Sequence, residues 1–282
     1  MVESSSTELC VREVSRPFGN GNKTIFDYNA DNAKYTISTE AGEQVANNEL
    51  TFRYLYQANK NVTSETQVAG NTTGYSCTAG FDSKDRVTSH TRTNGNIQSW
   101  NLSLVGNWNS STVNGSISHR THNSVLELST IDGSSLSHDS KGNNLTISNS
   151  NYKASYDIVN VHYFAHATDS NLDVAIIIDL LGRRVTKSHN GETTVFTCSG
   201  PRVVVEYEAI DIMNFSKTNS YVFGNYIDDP VMMINSSSTK HYYHCDRQYN
   251  VRGLSGSTGA VVELYAYSVH GERLNYRENI GA

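Results

Sequence analysis

The feature that most constrains this chain is a two-residue alternation of side chains in short runs, set in a background of which about a third is Ser, Thr and Asn. The clearest run is Val261–Tyr276, where Val261, Glu263, Tyr265, Tyr267 and Val269 share one parity and Val262, Leu264, Ala266 and Ser268 share the other. A strand points successive residues to opposite faces, so this pattern specifies sheet rather than helix. Comparable runs are Lys34–Ser38, Glu49–Gln57, Gln67–Ala69, Gln98–Val105, Ser124–Leu128, Val174–Leu181, Arg202–Ile210 and His241–Cys245. Turn-forming clusters such as Gly19–Asn22 and Thr93–Asn96 separate them, and the chain has only 3 Pro to interrupt pairing. Asn171–Arg184 is readable as a helix, but its three consecutive Ile favour a buried strand. The expected fold is all-β: an antiparallel sandwich or prism-like set of sheets.

A length of 282 residues suits one large β domain or two of ordinary size. Asn107–Asn151 is polar almost throughout, with Ser124–Leu128 as an apolar island, and is the best boundary region. Aromatic-x-Cys followed by an alternating strand occurs on both sides, at Tyr75–Cys77 and Tyr243–Cys245. The expectation is therefore two similar β units, 1–115 and 116–282.

Bulk properties exclude some functions. A net charge of −6 without a Lys/Arg cluster disfavours nucleic acid, whose binding needs clustered cations. The longest apolar stretch, Val174–Leu181, falls far short of the roughly 20 residues of a membrane-spanning helix. Met1–Ser6 has no apolar signal region. That leaves an intracellular protein or, preferred here, an excised lumenal or extracellular part with an added Met1.

The 4 cysteines, Cys10, Cys77, Cys198 and Cys245, show no CxxC spacing, which disfavours structural zinc. Three pairings are open. One bridge in each half, Cys10–Cys77 and Cys198–Cys245, is preferred, and four free buried thiols are the alternative. Asn22, Asn61, Asn71, Asn101, Asn109, Asn114, Asn144, Asn214 and Asn235 each open an N-x-S/T acceptor. In a chain this rich in Asn, Ser and Thr, most of that number arises by chance, so glycosylation is permitted rather than demonstrated.

His241–Cys245 (HYYHC), followed by DRQYNVRGL and AVVELYAYSVHGERLNY, resembles the C-terminal pattern of the lysosome-associated membrane glycoproteins and of the lumenal domain of the vacuolar proton-ATPase accessory subunit. The shared pattern is an aromatic-rich strand closing on Cys, a polar stretch, and a final amphipathic strand with an aromatic-x-aromatic step. The resemblance implies a β-prism-like, glycosylated, disulfide-bonded lumenal domain with a membrane anchor beyond it. The further cysteine that the family places after the last strand is missing from Tyr276–Ala282.

No reaction is written in the motifs. His241 and His244, three apart on a strand, face opposite sides and cannot share an ion. His162 and His166 on a strand stand about 13 Å apart. Glu206 and Glu208 share a strand face at about 7 Å, a separation used in glycoside hydrolysis, but Val205, Tyr207 and Ala209 are expected to form the buried face opposite, which leaves the pair solvated. Asp228–Asp229 and Asp169/Asp173 supply oxygen ligands without an EF-hand spacing. Gly253–Gly256 and Gly256–Gly259 are not a nucleophile elbow, and the second reads as a hairpin connection. Tyr54/Tyr56, Tyr265/Tyr267 and Trp100/Trp108 suit either sugar stacking or core packing.

The reading that follows is a non-enzymatic, secreted or lumenal glycoprotein ectodomain that meets protein or glycan partners through its surface. It has no cofactor and no metal, and touches a membrane only through an anchor outside this sequence. A lectin-like module, a self-assembling coat or capsid-type protein, and a glycosidase using Glu206 and Glu208 are the alternatives.

Overall fold

A computed structural model describes residues 12–40, 50–70, 72–93, 95–148, 152–156, 162–167, 172–211, 213–226, 228–271 and 273–278. Cys10, Asn71 and Asp169 lie outside these residues. The described residues form strands and turns with no helix. The protein is all-β, and its strands pair antiparallel with their neighbours in sequence.

The chain divides into two compact units, Met1–Ser99 with Val222–Ala282, and Trp100–Tyr221. The expected boundary near residue 115 is therefore corrected: the second unit is inserted within the first. In the polar stretch expected to hold the boundary, residues 107–148 form a series of hairpins. Sequence composition misled because hydroxyl pairs across strands, Thr121 to Thr130 and Ser188 to Thr193 (2.7 and 2.8 Å), help to hold sheet where apolar contact is sparse.

Unit 1 contains β1 (Ser15–Pro17), β2 (Lys23–Tyr28), β3 (Lys34–Glu40), β4 (Leu50–Tyr56), β5 (Val62–Ala69), β6 (Thr72–Phe81) and β7 (Val87–Arg92). β8 (Ile97–Leu102) leads out of it. After the second unit come β21 (Pro230–Asn235), β22 (Lys240–Cys245), β23 (Val251–Ser255), β24 (Val261–Tyr267) and β25 (Arg273–Glu278). Its core joins Phe26, Ile37, Leu50, Phe52 and Tyr54 from β2–β4 to Val261 and Leu264 from β24. The alternation of β4 explains this: Leu50, Phe52 and Tyr54 point inward, while Arg53 and Leu55 face water. The two layers approach closely at Gly253, where a Cβ would stand 2.8 Å from Leu50 Cδ2. Polar groups cross the same interior. Thr24, Thr39, His244, Ser255 and Asn20 form a hydrogen-bonded chain with steps of 2.9, 3.3, 2.8 and 3.0 Å.

Unit 2 contains β9 (Trp108–Val113), β10 (Ser116–His122), β11 (Leu128–Ile131), β12 (Ser134–His138), β13 (Asn144–Ile147), β14 (Tyr152–Tyr156), β15 (His162–Ala167), β16 (Leu172–Ile178), β17 (Arg184–His189), β18 (Glu192–Ser199) and β19 (Arg202–Ala209). β20 (Phe215–Phe223) leads back to unit 1. Its buried apolar side chains among the described residues are Trp100, Ala154 and Phe196. Trp100 packs on Trp108 with ring centroids 5.7 Å apart, and Arg184 lies 4.4 Å over Phe196. Leu172–Ile178 is a strand, as expected, but Ile177 is exposed rather than buried. Three expected strands also end early or start late. Gln98–Val105 stops at Leu102, Val174–Leu181 stops at Ile178, and Ser124–Glu127 is a turn before Leu128.

Candidate functional site

One local structure recurs through the sheet. A residue at the end of a strand donates its N–H to the carbonyl four residues on, and its own carbonyl accepts the N–H three residues on. This pair of bonds opens after even-numbered strands at Asn29, Gln57, Asp82, Ser103, Asn123, Asp139, Asp179 and Asp246, and after odd-numbered strands at Phe18, Arg92, Asn235 and Gly256. Asp and Asn suit the first position because the side-chain oxygen accepts the amides two and four residues on. Asp82 does so from Lys84 and Arg86, Asp139 from Lys141 and Asn143, and Asp246 from Gln248 and Asn250, all between 2.8 and 3.0 Å. The fourth position takes positive φ, at Asn32 (62°), Lys60 (68°), Gly106 (97°) and Gly182 (76°) among others, which is why Gly and Asn gather there. Asp82 and Asp179 also pair with Arg86 and Arg183 at the fifth position. Their hydrogen bonds to that arginine, more than its charge, hold these carboxyls below the usual range, Asp82 at about 2. The five-residue pattern is present in the sequence and is the repeat that reading for strands alone passes over.

Within unit 1 a cleft of about 690 Å³ opens between β5–β7 and the segment from Asp246 to Gly271. Arg252 is its organising charge. It pairs with Glu65 and with Asp246 (3.3 Å), donates to Gln67 Oε1 (2.9 Å) and to the Tyr265 carbonyl (3.1 Å), and lies over the rings of Phe52 and Tyr75. The Tyr75 hydroxyl donates to the Tyr267 carbonyl (3.2 Å) and meets His90 Nε2 at 3.4 Å, while His90 Nδ1 is buried without a hydrogen-bond partner. Burial, with Arg92 nearby, pushes His90 down, and burial pushes the Cys77 thiol up. A protonated thiol is a poor nucleophile, and the Arg252 and Tyr75 groups that line this cleft are engaged with other residues of the unit.

The residues singled out in the sequence are dispersed. Cys77, Cys198 and Cys245 are free thiols, so the expected Cys198–Cys245 bridge is not formed, and Cys77 is likewise unbridged. The reason is the insertion: Cys198 belongs to unit 2, whereas Cys77 and Cys245 both belong to unit 1. Burial, reinforced by Asp229 and Asp246, pushes the Cys245 thiol up to about 12. The two aromatic-x-Cys segments therefore mark one unit rather than one each. His244 is buried rather than exposed, and burial lowers its pKa to about 4. His241 and His244 do lie on opposite faces of β22.

Asn22 is 1% exposed and its amide donates to the Gly259 carbonyl at 2.9 Å, so the folded chain leaves no room for a glycan there. Asn101, Asn109, Asn114 and Asn214 are exposed, and Asn61, Asn144 and Asn235 are half-buried. Asn235 is spent on a turn, accepting from Ser237 and Thr239. Glu206 accepts from Asn219 Nδ2 (3.1 Å) and pairs in register with the buried Phe196, while Glu208 is exposed. Val205, Tyr207 and Ala209 are half-buried and do not form the expected buried face, because the second unit has little interior to bury them in. Asp229 is tied to Arg16 at 2.7 and 3.0 Å, which uses both its oxygens. Tyr54 is core, Tyr56 donates to the Lys34 carbonyl and Tyr267 to the Val251 carbonyl, so these aromatics serve the fold.

Comparison with solved structures identifies the architecture. The chain aligns over 99% of its length with a crystal structure of TcdB2–TccC3 (TM-score 0.76, 13% identity) and with TcdB2–TccC3–Cdc42 (TM-score 0.75, 12% identity). A Photorhabdus luminescens Tc holotoxin pore aligns over the same 99% with TM-score 0.56 and 12% identity. In each case the match occupies 16% of the other chain, so this protein spans about a sixth of the structures it matches. No family model matches the sequence, and no curated protein matches it.

Proposed function

We propose that this chain is a structural section of β wall, acting on protein partners through its surface and turning over no substrate. The recurrence of one self-capped turn carries the reading. Twelve hairpin ends among the described residues are satisfied by the same two backbone bonds, and in unit 2 hairpin adds to hairpin with little buried core, which is the construction of a scaffold. The fold shared with toxin-complex chains about six times as long supports it, since in them the same architecture is one part of a larger body. Partners are proteins in this reading. A secreted or lumenal location stays part of the proposal, and it draws on the exposed acceptors at Asn101, Asn109, Asn114 and Asn214 rather than on disulfides.

The test is turnover. The purified chain is expected to hydrolyse no chromogenic glycoside above background. Hydrolysis that disappears in Glu206→Gln would replace the scaffold reading with the glycosidase alternative. Mass spectrometry of the natively expressed protein, counting glycans and thiols, checks the compartment.

A further inference from the structure

The hydrogen-bonded chain inside unit 1 has a direction, and that direction is set by a surface turn. From the turn between β1 and β2, the Asn20 amide donates to Ser255 Oγ (3.0 Å) and to the Gly256 carbonyl (2.9 Å). Ser255 is fully buried, and among the described residues its hydroxyl meets one other group, His244 Nε2, at 2.8 Å. Because Oγ already accepts from Asn20, its own proton goes to Nε2. The neutral imidazole therefore carries its proton on Nδ1 and donates it to Thr39 Oγ1 (3.3 Å), which leaves the Thr39 hydroxyl to donate to Thr24 Oγ1 (2.9 Å).

A second proton on this ring breaks that order. An Nε2–H aimed at Ser255 Oγ leaves the serine proton with no acceptor in a site closed to water, and it places a charge on a side chain 2% exposed. No counter-ion faces it. Lys23, Glu40 and Lys240 are exposed at the ends of β2, β3 and β22, and His241 and Cys245 lie on the opposite face of β22. Asp246, two residues on along the same face, is paired with Arg252, and Arg16 of β1 is paired with Glu13 and Asp229. None of these groups moves the His244 titration, which is lowered by burial alone. Protonation at His244 therefore needs a rearrangement that brings in water.

The strands around His244 resist such a movement. β3 is paired with β2 and β4, β22 with β21 and β23, and β23 with β22 and β24. The turn Phe18–Asn22 is held differently. It rests on the unit through side chains: the Phe18 ring stands edge-on to His244 and Tyr242 (5.2 and 6.0 Å), Asn20 reaches Ser255 and Gly256, and Asn22 donates to the Gly259 carbonyl (2.9 Å). Its flanks are fixed, on one side by the bonds of Arg16 to Asp229 (2.7 and 3.0 Å) and on the other by β2 in the sheet. We infer that Phe18–Asn22 is an acid-released flap: when His244 takes up a second proton, this turn leaves its seat and admits water to the ring and to Ser255, while the strands beneath stay paired. Neutral pH seats it again. The flap does not depend on the scaffold reading above.

Hydrogen exchange of the full chain, followed residue by residue by NMR and corrected for the intrinsic pH dependence of exchange, decides it. Between about pH 7.5 and 4.5 the protection of the Phe18 and Gly21 amides, which close the turn, is expected to fall roughly 10- to 70-fold, the upper figure being full exposure of a histidine lowered to about 4. The amides of Ile37 and Phe52 are expected to stay at least about 100-fold better protected at both values, as local opening requires. His244→Gln is expected to hold the turn within about twofold across the same range. Asn20→Ala, which removes the bond to Ser255 without touching the core, is expected to lower protection of the turn already at pH 7.5. The imidazole nitrogen shifts of the wild type are expected to report the Nδ1–H form at neutral pH. Protection of the turn that ignores pH, that falls to the same value as at Ile37 and Phe52, or that stays pH-dependent in His244→Gln overturns the inference. So does an unchanged turn in Asn20→Ala, or an Nε2–H imidazole.

Discussion

The two units use one turn and one strand pattern and reach opposite interiors. Unit 1 sets β2–β4 against β24 and encloses Phe26, Ile37, Leu50, Phe52, Tyr54, Val261 and Leu264. Unit 2 buries Trp100, Ala154 and Phe196 and leaves Leu104, Val125, Leu180, Ile210, Met213 and Phe215 in water. The repeat therefore fixes the sheet without fixing what covers it. A layer packed face to face gives unit 1 a core, whereas unit 2 relies on cross-strand hydroxyl pairs, turn caps and cation–aromatic contacts, each worth a fraction of a buried Leu or Phe.

The largest way to break this contrast is to remove core. Phe52→Ala is expected to cost about 3–5 kcal/mol in urea denaturation, whereas Leu180→Ala in unit 2 should change stability by less than about 0.5 kcal/mol. Equal losses would refute the difference between the interiors. Arg252→Met strands Asp246 and Glu65 with no counter-charge and should also cost about 3–5 kcal/mol, while the double change Arg252→Met/Glu65→Gln recovers part of it.

Acid sharpens the comparison next. His244 is held neutral in the fold, with its pKa brought from 6.5 to about 4 by burial. Between those values the unfolded chain takes up a proton that the folded chain refuses, so stability is complete above pH 6.5 and is lost as pH falls toward 4, by about 3 kcal/mol in all. His90, also lowered, adds in the same direction. The urea midpoint of unit 1 should fall over this window, and His244→Gln should flatten that fall; an unchanged slope would remove His244 from the account. Gly253→Ala, which drives a methyl against Leu50, is expected to cost about 1–3 kcal/mol. The smallest effect is a gain: Leu126→Gly relieves a positive φ in unit 2 and should raise thermal stability by up to about 1 kcal/mol.

Much of the sheet was legible because strand alternation is local. The run Lys34–Ser38 emerged as β3, the described part of Glu49–Gln57 as β4 (Leu50–Tyr56), and the run from Val261 as β24, which ends at Tyr267. The strand readings overran at Leu104–Val105, Val125–Leu126 and Leu180–Leu181, where apolar residues occupy turn tips and imitate strand continuation. Those errors fall where exposed aliphatic residues occupy turn tips, positions that local turn chemistry does not assign to them. The Arg252 hub was not legible. Its partners Glu65, Gln67 and Asp246 come from both ends of the chain, and no local pattern pairs them.

Alternation and the Asp- or Asn-led turn, both properties of a few adjacent residues, settled by themselves that the chain is an antiparallel sheet with repeated hairpin ends. Which faces are closed was decided only in three dimensions. A strand carries the same side chains whether or not a second layer lies against it, and the layer that closes unit 1 arrives from residues more than two hundred positions away, in β23 and β24.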